Sequence, residues 1–455
     1  MSFIRKIKKK NAVYLAEVEN YREGKKVKQK VIRYIGKEVA GEVVRRVDSS
    51  GIEIKSVKKY LDYKILHDIS KELGLTEVLG NYAKYILLLV YTHIICRKSI
   101  YRLPEYLEQT TLKELLGIKN LIDKDLYKAL DELEELDFEE IEKKIFEKLS
   151  TRKEKNALIL DITDTYFSGS EAFWKARKGK DGKYDKLLQI ALAVTKEEGF
   201  PIMHKTYEGN INNMNIFQDL LSETRLKKFN FIVVDRGMIS YETISDLRNI
   251  NQKIITGLRL NAKIKKNYLN IDREKIYTPD CLIKLKNTKV YAKDFDFMEG
   301  KLIAVYNPEI ELIKRNHAIE SGRFDSNEAR YMGYSLIYHT TKLSNIEVIK
   351  IYYEKDIVEK AFKELKSSIN LNPIRKYRMS HIKAHVKICY IAYSLLSYIK
   401  NKLAPSGISA TDALEKLSPV YKVELSSIKE NFNWSKTVAL TKEQGVILKL
   451  LGCSV

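Results

Sequence analysis

Two short apolar runs that each stop at an aspartate set the strongest limit on the fold. Ala157-Leu-Ile-Leu160 ends in Asp161 and continues as Ile162-Thr-Asp-Thr-Tyr-Phe167, while Phe229-Asn-Phe-Ile-Val-Val234 ends in Asp235-Arg-Gly237. Runs of this kind fit strands buried on both faces, which occur in sheets covered by helices. Between them, residues 187–195 and 201–207 read as two further strands around a Glu197-Glu-Gly199 turn, and 214–228 as a helix. A helix over 240–249 and a strand over 253–260 follow. Three strands, helix, strand, helix, strand predicts an α/β fold with a mixed sheet. Function in such sheets collects where strands end, and both Asp161 and Asp235 read as strand-end acids.

The flanking segments differ in texture. Residues 1–47 are basic, with strands expected at 13–19 and 27–35 joined through Arg22-Glu-Gly24-Lys-Lys; this β-hairpin reads equally as a DNA-contacting appendage or as a β-unit whose lysines guard its edges. Residues 48–155 read as a helical domain, with apolar positions three and four apart in 61–73 and 126–149; it is structural or binds DNA ends. The sheet core occupies 156–261. A strand-rich, basic insertion follows over 262–346, with a helix at 308–319. Residues 347–455 then read as helices.

The stretch 352–366 has no Gly, Pro or turn cluster and is dominated by Ala, Lys, Glu and Leu, which predicts one continuous helix. At about 100° per residue from Tyr352, Lys355 falls near −60°, Glu359 near −20° and Lys366 near −40°. Glu354 and Glu364 project to about 200° and 120°. One face thus carries a phenol, two ammonium groups and the Glu359 carboxylate. This suits a divalent metal and a phosphodiester held side by side, or equally a solvated helix with Lys and Glu pairs.

Charge points to the partner. The 455-residue chain has 81 Lys and Arg against 60 Asp and Glu, a formal charge of +21, so a polyanion is the expected ligand. Cys96, Cys281, Cys389 and Cys453 are far apart and form no CxxC pair, which suggests neither a zinc site nor a disulfide framework and fits a reducing cytoplasm. The apolar runs 85–96 and 388–399 are shorter than the ~20 residues a membrane helix needs, and the N-terminus lacks a signal-peptide h-region. Asp161, Asp235 and Glu359 would form a three-carboxylate cluster if the strands and helix pack as expected. All-oxygen ligands favour Mg²⁺ or Mn²⁺, two of which could activate a nucleophile and stabilise a leaving oxygen at phosphorus.

Asp161-Ile-Thr-Asp-Thr-Tyr-Phe, Glu208-Gly-Asn, Ile232-Val-Val-Asp-Arg-Gly and the spaced set Tyr352, Lys355, Glu359, Lys366 with Phe362 and Leu365 resemble DDE-class transposases of bacterial and archaeal insertion sequences. The most similar group has a β-strand insertion and a Tyr-Arg-Glu-Lys signature. The resemblance spans nearly the whole chain. It implies a ribonuclease-H-like mixed-sheet catalytic core interrupted by the β-rich insertion, and cut-and-paste transposition: hydrolysis at the element's ends, then strand transfer by the freed 3′-hydroxyl. By position, Asp161, Asp235 and Glu359 would ligate a two-metal Mg²⁺ or Mn²⁺ site, and Tyr352, Lys355 and Lys366 would bind DNA phosphates. The partners implied are double-stranded DNA, both terminal inverted repeats and target, with a homodimer on DNA in the nucleoid. A catalytically inactive or repurposed DNA-binding protein and a non-transposing structure-directed nuclease are the alternatives.

Lys355 stands where the signature has Arg, giving a point charge rather than a bidentate fork. Some relatives hold a flipped base with a tryptophan in the insertion; here Trp174 and Trp434 lie elsewhere, and Tyr291, Phe295 and Phe297 are the available stackers. Motif alignment selects Asp161 over Asp164 as the first acid. His381 and His385, four apart on a predicted helix and without a third ligand, read as polar or DNA-side histidines rather than metal ligands.

Overall fold

The computed structural model describes the chain except residues 1, 10–11, 25, 40–41, 45–51, 151–156, 167–176, 179–183, 186, 210, 241–242, 245–251, 270–272, 287, 370, 372–373, 375–377 and 428–431. It divides into two compact units, one of residues 1–61, 419–440 and 455, the other of 62–418 and 441–454.

In the first unit, β1 (Ser2–Lys9), β2 (Ala12–Glu23), β3 (Lys26–Val39) and β4 (Glu42–Val44) form an antiparallel sheet in chain order. The expected hairpin is β2–β3, turning at Gly24 with φ 66°, a conformation glycine adopts without penalty. Two strands flank it that the lysine-rich sequence did not announce. β5 (Ile52–Lys59) belongs to a second sheet, antiparallel to Tyr421–Ser427, which pairs in turn with Phe432–Thr437. The sequence reading put helices at both places. Period-two alternation in Ile52-Glu-Ile-Lys-Ser-Val favours the strand once a partner far along the chain supplies the other half of the ladder.

The second unit opens with helices α1 (Leu61–Glu72), α2 (Leu75–Val78), α3 (Ala83–Ile95), α4 (Leu103–Leu107), α5 (Leu112–Leu116), α6 (Asp123–Glu135) and α7 (Phe138–Leu149). Its sheet follows: β6 (Ala157–Tyr166), a short β7 (Arg177–Lys178) and β8 (Tyr184–Asp185) ladder apart from it, β9 (Leu187–Thr195), β10 (Pro201–Glu208), β11 (Phe231–Val234) and β12 (Ile254–Leu258). The order β10-β9-β6-β11-β12, with three antiparallel strands and then β11 parallel to both β6 and β12, is that of a ribonuclease-H-like core. β9, β11 and β12 are buried along their whole length, as strands covered on both faces must be. α8 (Asn213–Leu221) is shorter than expected, ending before a 3₁₀ turn at Leu226–Lys228. The helix expected over 240–249 falls mostly outside the described residues.

The insertion extends the same sheet. β13 (Leu282–Lys284), β14 (Lys289–Phe297), β15 (Gly300–Tyr306) and β16 (Tyr334–His339) continue it because β16 pairs antiparallel with β12, giving nine strands among the described residues. Helices α9 (Ala262–Tyr268), α10 (Pro308–Glu320) and α11 (Ser326–Ala329) lie between these strands in sequence. Tyr291, Phe295 and Phe297 point into aromatic clusters, with Tyr277 4.3 Å from Tyr291 and Tyr268 within 5.7 Å of both phenylalanines, centroid to centroid.

α12 (Asn345–Tyr353), α13 (Asp356–Lys363), α14 (Met379–Leu403), α15 (Ala410–Leu417) and α16 (Lys442–Leu451) complete the unit. α14 is its spine: the 388–399 run is wholly buried, and the helix packs on α3, α6, α7 and β10. A largely buried polar triad anchors α7 to the sheet edge, Glu142 accepting from the His204 ring nitrogen and from Arg225, each at 2.6 Å. Among the described residues no helix is long and apolar enough to cross a membrane.

Candidate active site

The parallel ladder between β6 and β11 pairs Leu158 with Ile232 and Leu160 with Val234. The next residue on each strand is an aspartate, so Asp161 and Asp235 stand side by side at the ~4.8 Å spacing of adjacent strands. Asp235 lies where β11 stops, in a turn closed by the Met238 amide on the Asp235 carbonyl at 3.0 Å. Asp161 does not end its strand as expected. β6 runs on to Tyr166, with Asp161 paired to Leu192 of β9, because the antiparallel partner continues after the parallel one has ended. Asp161 therefore borders the gap that β11 leaves. Asp164, three residues on, faces the other side of the pleat and is buried there, so the two cannot exchange roles.

The third acid arrives on α13, which packs on β6 and β9 through buried Val358, Ala361 and Phe362. Glu359 lies in its first turn. Asp161, Asp235, Glu359 and Lys355 line one cavity of about 270 Å³, together with Ile159, Leu160, Val233, Val234 and Val358. Sequence separation is thus overcome by two adjacent strands and one helix laid across them.

The continuous helix expected over 352–366 is corrected in two places. α12 ends at Tyr353, and at Glu354 and Lys355 ψ is 4° and −7°, far from the helical value near −42°. Local propensity favours helix here, but two contacts hold the turn. The Lys355 ammonium bonds Asp235 Oδ1 at 2.5 Å and lies 5.2 Å from the Tyr352 ring centroid. The Tyr352 hydroxyl enters a socket made by Gly257 of β12, where a Cβ would come within 2.2 Å of it. After α13 the chain makes a π-helical turn, Glu364–Ser368, with the Ile369 amide reaching the Glu364 carbonyl five residues back. From this turn Lys366 donates to Thr163 Oγ1 at 2.7 Å, two residues past Asp161 on the same face of β6.

Electrostatics follow from these contacts. Burial raises the Asp235 carboxyl, but the Lys355 hydrogen bond and charge, helped by the Arg236 amide and guanidinium, outweigh it and hold Asp235 below the usual carboxylate range. Burial, then the adjacent Asp235 charge, push the Tyr352 phenol up, so it stays protonated as a donor at neutral pH. The residues fit a divalent cation: three carboxylates share a cavity, the donors are all hard oxygens, and the Lys355 ammonium already stands in as a counter-cation.

Of the six residues predicted for the site, Asp161, Asp235, Glu359 and Lys355 meet at the cavity. Tyr352 reaches it through its hydroxyl beside Asp235, and Lys366 joins the Thr163 side of β6. Gly257 and Thr163 escaped the sequence reading. A lone glycine inside a buried strand signals close approach of another group, and Thr163 follows Asp161 at strand period. His381 and His385 are both buried: His381 bonds Asp131 at 2.9 Å and stacks on Tyr127, in keeping with a polar histidine, while His385 faces Cys389.

Residues 152–395, more than half of the chain, match the sequence family described as Transposase DDE domain. The chain belongs to the DDE transposases. It is therefore a DNA transposase, an enzyme of the nucleotidyl-transfer class from a family that generally uses divalent metal. No curated protein matches it. Among solved structures it is similar to the piggyBac transposase in a cryo-EM structure of its synaptic complex with hairpin DNA, at 12% identity and a TM-score of 0.42 over 78% of each chain.

Proposed function

We propose that this transposase cuts the ends of an insertion sequence and joins them to target DNA at the cavity bounded by Asp161, Asp235 and Glu359. The observation that carries this reading is the convergence of those three acids on one cavity in which Lys355 is already seated on Asp235. The three carboxylates would hold two Mg²⁺ or Mn²⁺ ions. When bound, such ions supply an activated water or 3′-hydroxyl and stabilise the oxygen that departs from phosphorus.

The chain's own groups do the rest. Asp161 and Asp235, fixed by the register of β6 and β11, set the spacing of the ligands, and Glu359 closes the site from α13. Lys355, held beside the acids by Asp235, would place its ammonium within reach of a DNA phosphate. Tyr352, kept protonated, donates to a phosphate oxygen from its Gly257 socket. Lys366, oriented by Thr163, neutralises the backbone beside Asp161. Lys355 grips as a single charge, so Tyr352 and Lys366 carry more of the orientation than a guanidinium in that place would require. In this reading the basic N-terminal strands and helices α1–α7 contact the element's ends, and two copies pair the inverted repeats.

The test is nicking and joining of a plasmid that carries the element's terminal repeats, with Mg²⁺ or Mn²⁺ present. Wild-type protein is expected to nick at the repeats and join the ends to a second plasmid. Glu359→Gln and Asp235→Asn are expected to retain DNA binding and lose both reactions; unchanged cutting by either variant overturns the assignment.

A further inference from the structure

A second cluster of metal-ligating groups lies away from the carboxylates. α14 presents His385 and Cys389 four residues apart, hence on one face, and the adjacent α3 presents His93 toward them. Cys389 Sγ is 3.6 Å from His93 Nε2 and 3.7 Å from His385 Nε2, and ligand atoms of all three residues lie within 4.8 Å of one another. The two imidazoles meet edge to face, with centroids 5.0 Å apart.

These separations have a chemical meaning. Zinc bonds of about 2.3 Å to sulfur and about 2.05 Å to nitrogen, opened to a tetrahedral angle, place the two ligand atoms about 3.6 Å apart. Both observed sulfur–nitrogen distances match.

We propose that His93, His385 and Cys389 bind one Zn²⁺ ion, with the fourth coordination position opening on the adjoining cavity. On binding, Cys389 loses its proton to solvent and the sulfur lone pair bonds the metal; no redox change occurs. Soft thiolate with imidazole selects zinc over the hard cations suited to the carboxylate cavity. The fourth position faces a cavity of about 360 Å³ that both histidines line along with Thr92, Ser99, Arg97 and Lys98. The two cations on that wall favour water, hydroxide or another anion as fourth ligand and disfavour a second metal. The ion would clamp α3, in the helical layer, to α14, the helix that underlies β10 of the catalytic sheet. It is a structural staple separate from the chemistry at Asp235.

The experiment uses the full chain, stripped with chelator and titrated with Co²⁺. Expected are the strong visible bands of tetrahedral cobalt and a thiolate-to-cobalt charge-transfer band, saturating at about one equivalent and bleached by Zn²⁺. Cys389→Ser is expected to abolish the charge-transfer band, and His93→Ala to weaken cobalt binding at least tenfold. The Asp161→Asn, Asp235→Asn double variant is expected to keep the full spectrum, so failure at either site leaves the other reading standing. Absence of the charge-transfer band in wild type, or its survival in Cys389→Ser, overturns the proposal. If Cys389→Ser does not fold, the wild-type spectrum and its loss in His93→Ala decide the matter.

Discussion

Gly257→Ala tests whether the socket in β12 positions the Tyr352 phenol. The added methyl would sit 2.2 Å from the Tyr352 hydroxyl, 3.1 Å from its Cζ and 3.0 Å from Arg236 Cβ. Non-bonded carbon and oxygen atoms settle near 3.5 Å, so the phenol must withdraw by roughly 1 Å. Tyr352 is rigid beyond χ2 and sits at the end of α12, so withdrawal drags on the turn that carries Lys355. Overpacking of this sort costs about 1–3 kcal/mol, and a 1 Å displacement of a positioning group costs about 100-fold in rate. Calorimetry should show a melting temperature lower by a few degrees, and single-turnover nicking should fall by about two orders of magnitude. Tyr352→Phe removes the atom in closest conflict, so much of the stability loss should vanish in the double variant, a coupling of about 0.5–3 kcal/mol. Wild-type melting and nicking by Gly257→Ala, or an undiminished penalty in the Tyr352→Phe background, would refute the socket argument.

Lys355→Met removes the cation seated on Asp235; divalent-metal affinity measured by calorimetry should rise, while the salt dependence of DNA binding should lose about 0.9 from its log–log slope. Thr163→Val removes the acceptor that orients Lys366; loss of one hydrogen bond, about 0.5–1.5 kcal/mol, predicts a roughly two- to thirteenfold slower nicking rate with little change in melting. Glu223 is held below the usual carboxylate range: burial opposes the shift, but Lys205 at 2.8 Å and Arg225 at 3.2 Å outweigh it. Its contribution to stability is therefore complete above the ordinary glutamate pKa of about 4.3 and is lost as pH falls through the lowered folded value. Denaturant titrations should show Glu223→Gln losing less stability than wild type between pH 5 and the acid limit.

Much of the core was legible because local composition and tertiary environment agree there. Ala157–Leu160 and Phe231–Val234 are apolar for the same reason that they are central strands, and Asp235 follows where apolar character ends. Asp161 reads as a strand-end acid because the apolar run Ala157–Leu160 stops there and the polar Thr163-Asp-Thr165 follows. These polar residues are instead buried, paired with β9 beyond the end of β11. The helix over 352–366 failed differently: nothing in its composition breaks it, and the break comes from Lys355 reaching Asp235, 120 residues away in sequence. Pairing of β5 with Tyr421–Ser427 is likewise non-local. The 388–399 run announced a core helix, yet Cys389 within it gained significance only when α3 brought His93 alongside. Spacing on one helix could suggest His385 with Cys389 or with His381, and only packing chooses.

The convergence of the three acids on one metal site is tested most directly by a crystal structure of the protein with Mn²⁺, with anomalous differences measured at the manganese edge. Anomalous peaks are expected in the 270 Å³ cavity, about 2.1 Å from carboxylate oxygens of Asp161, Asp235 and Glu359, with the Lys355 ammonium displaced from Asp235. Manganese bound elsewhere, or held by the two aspartates while Glu359 turns away, would contradict it.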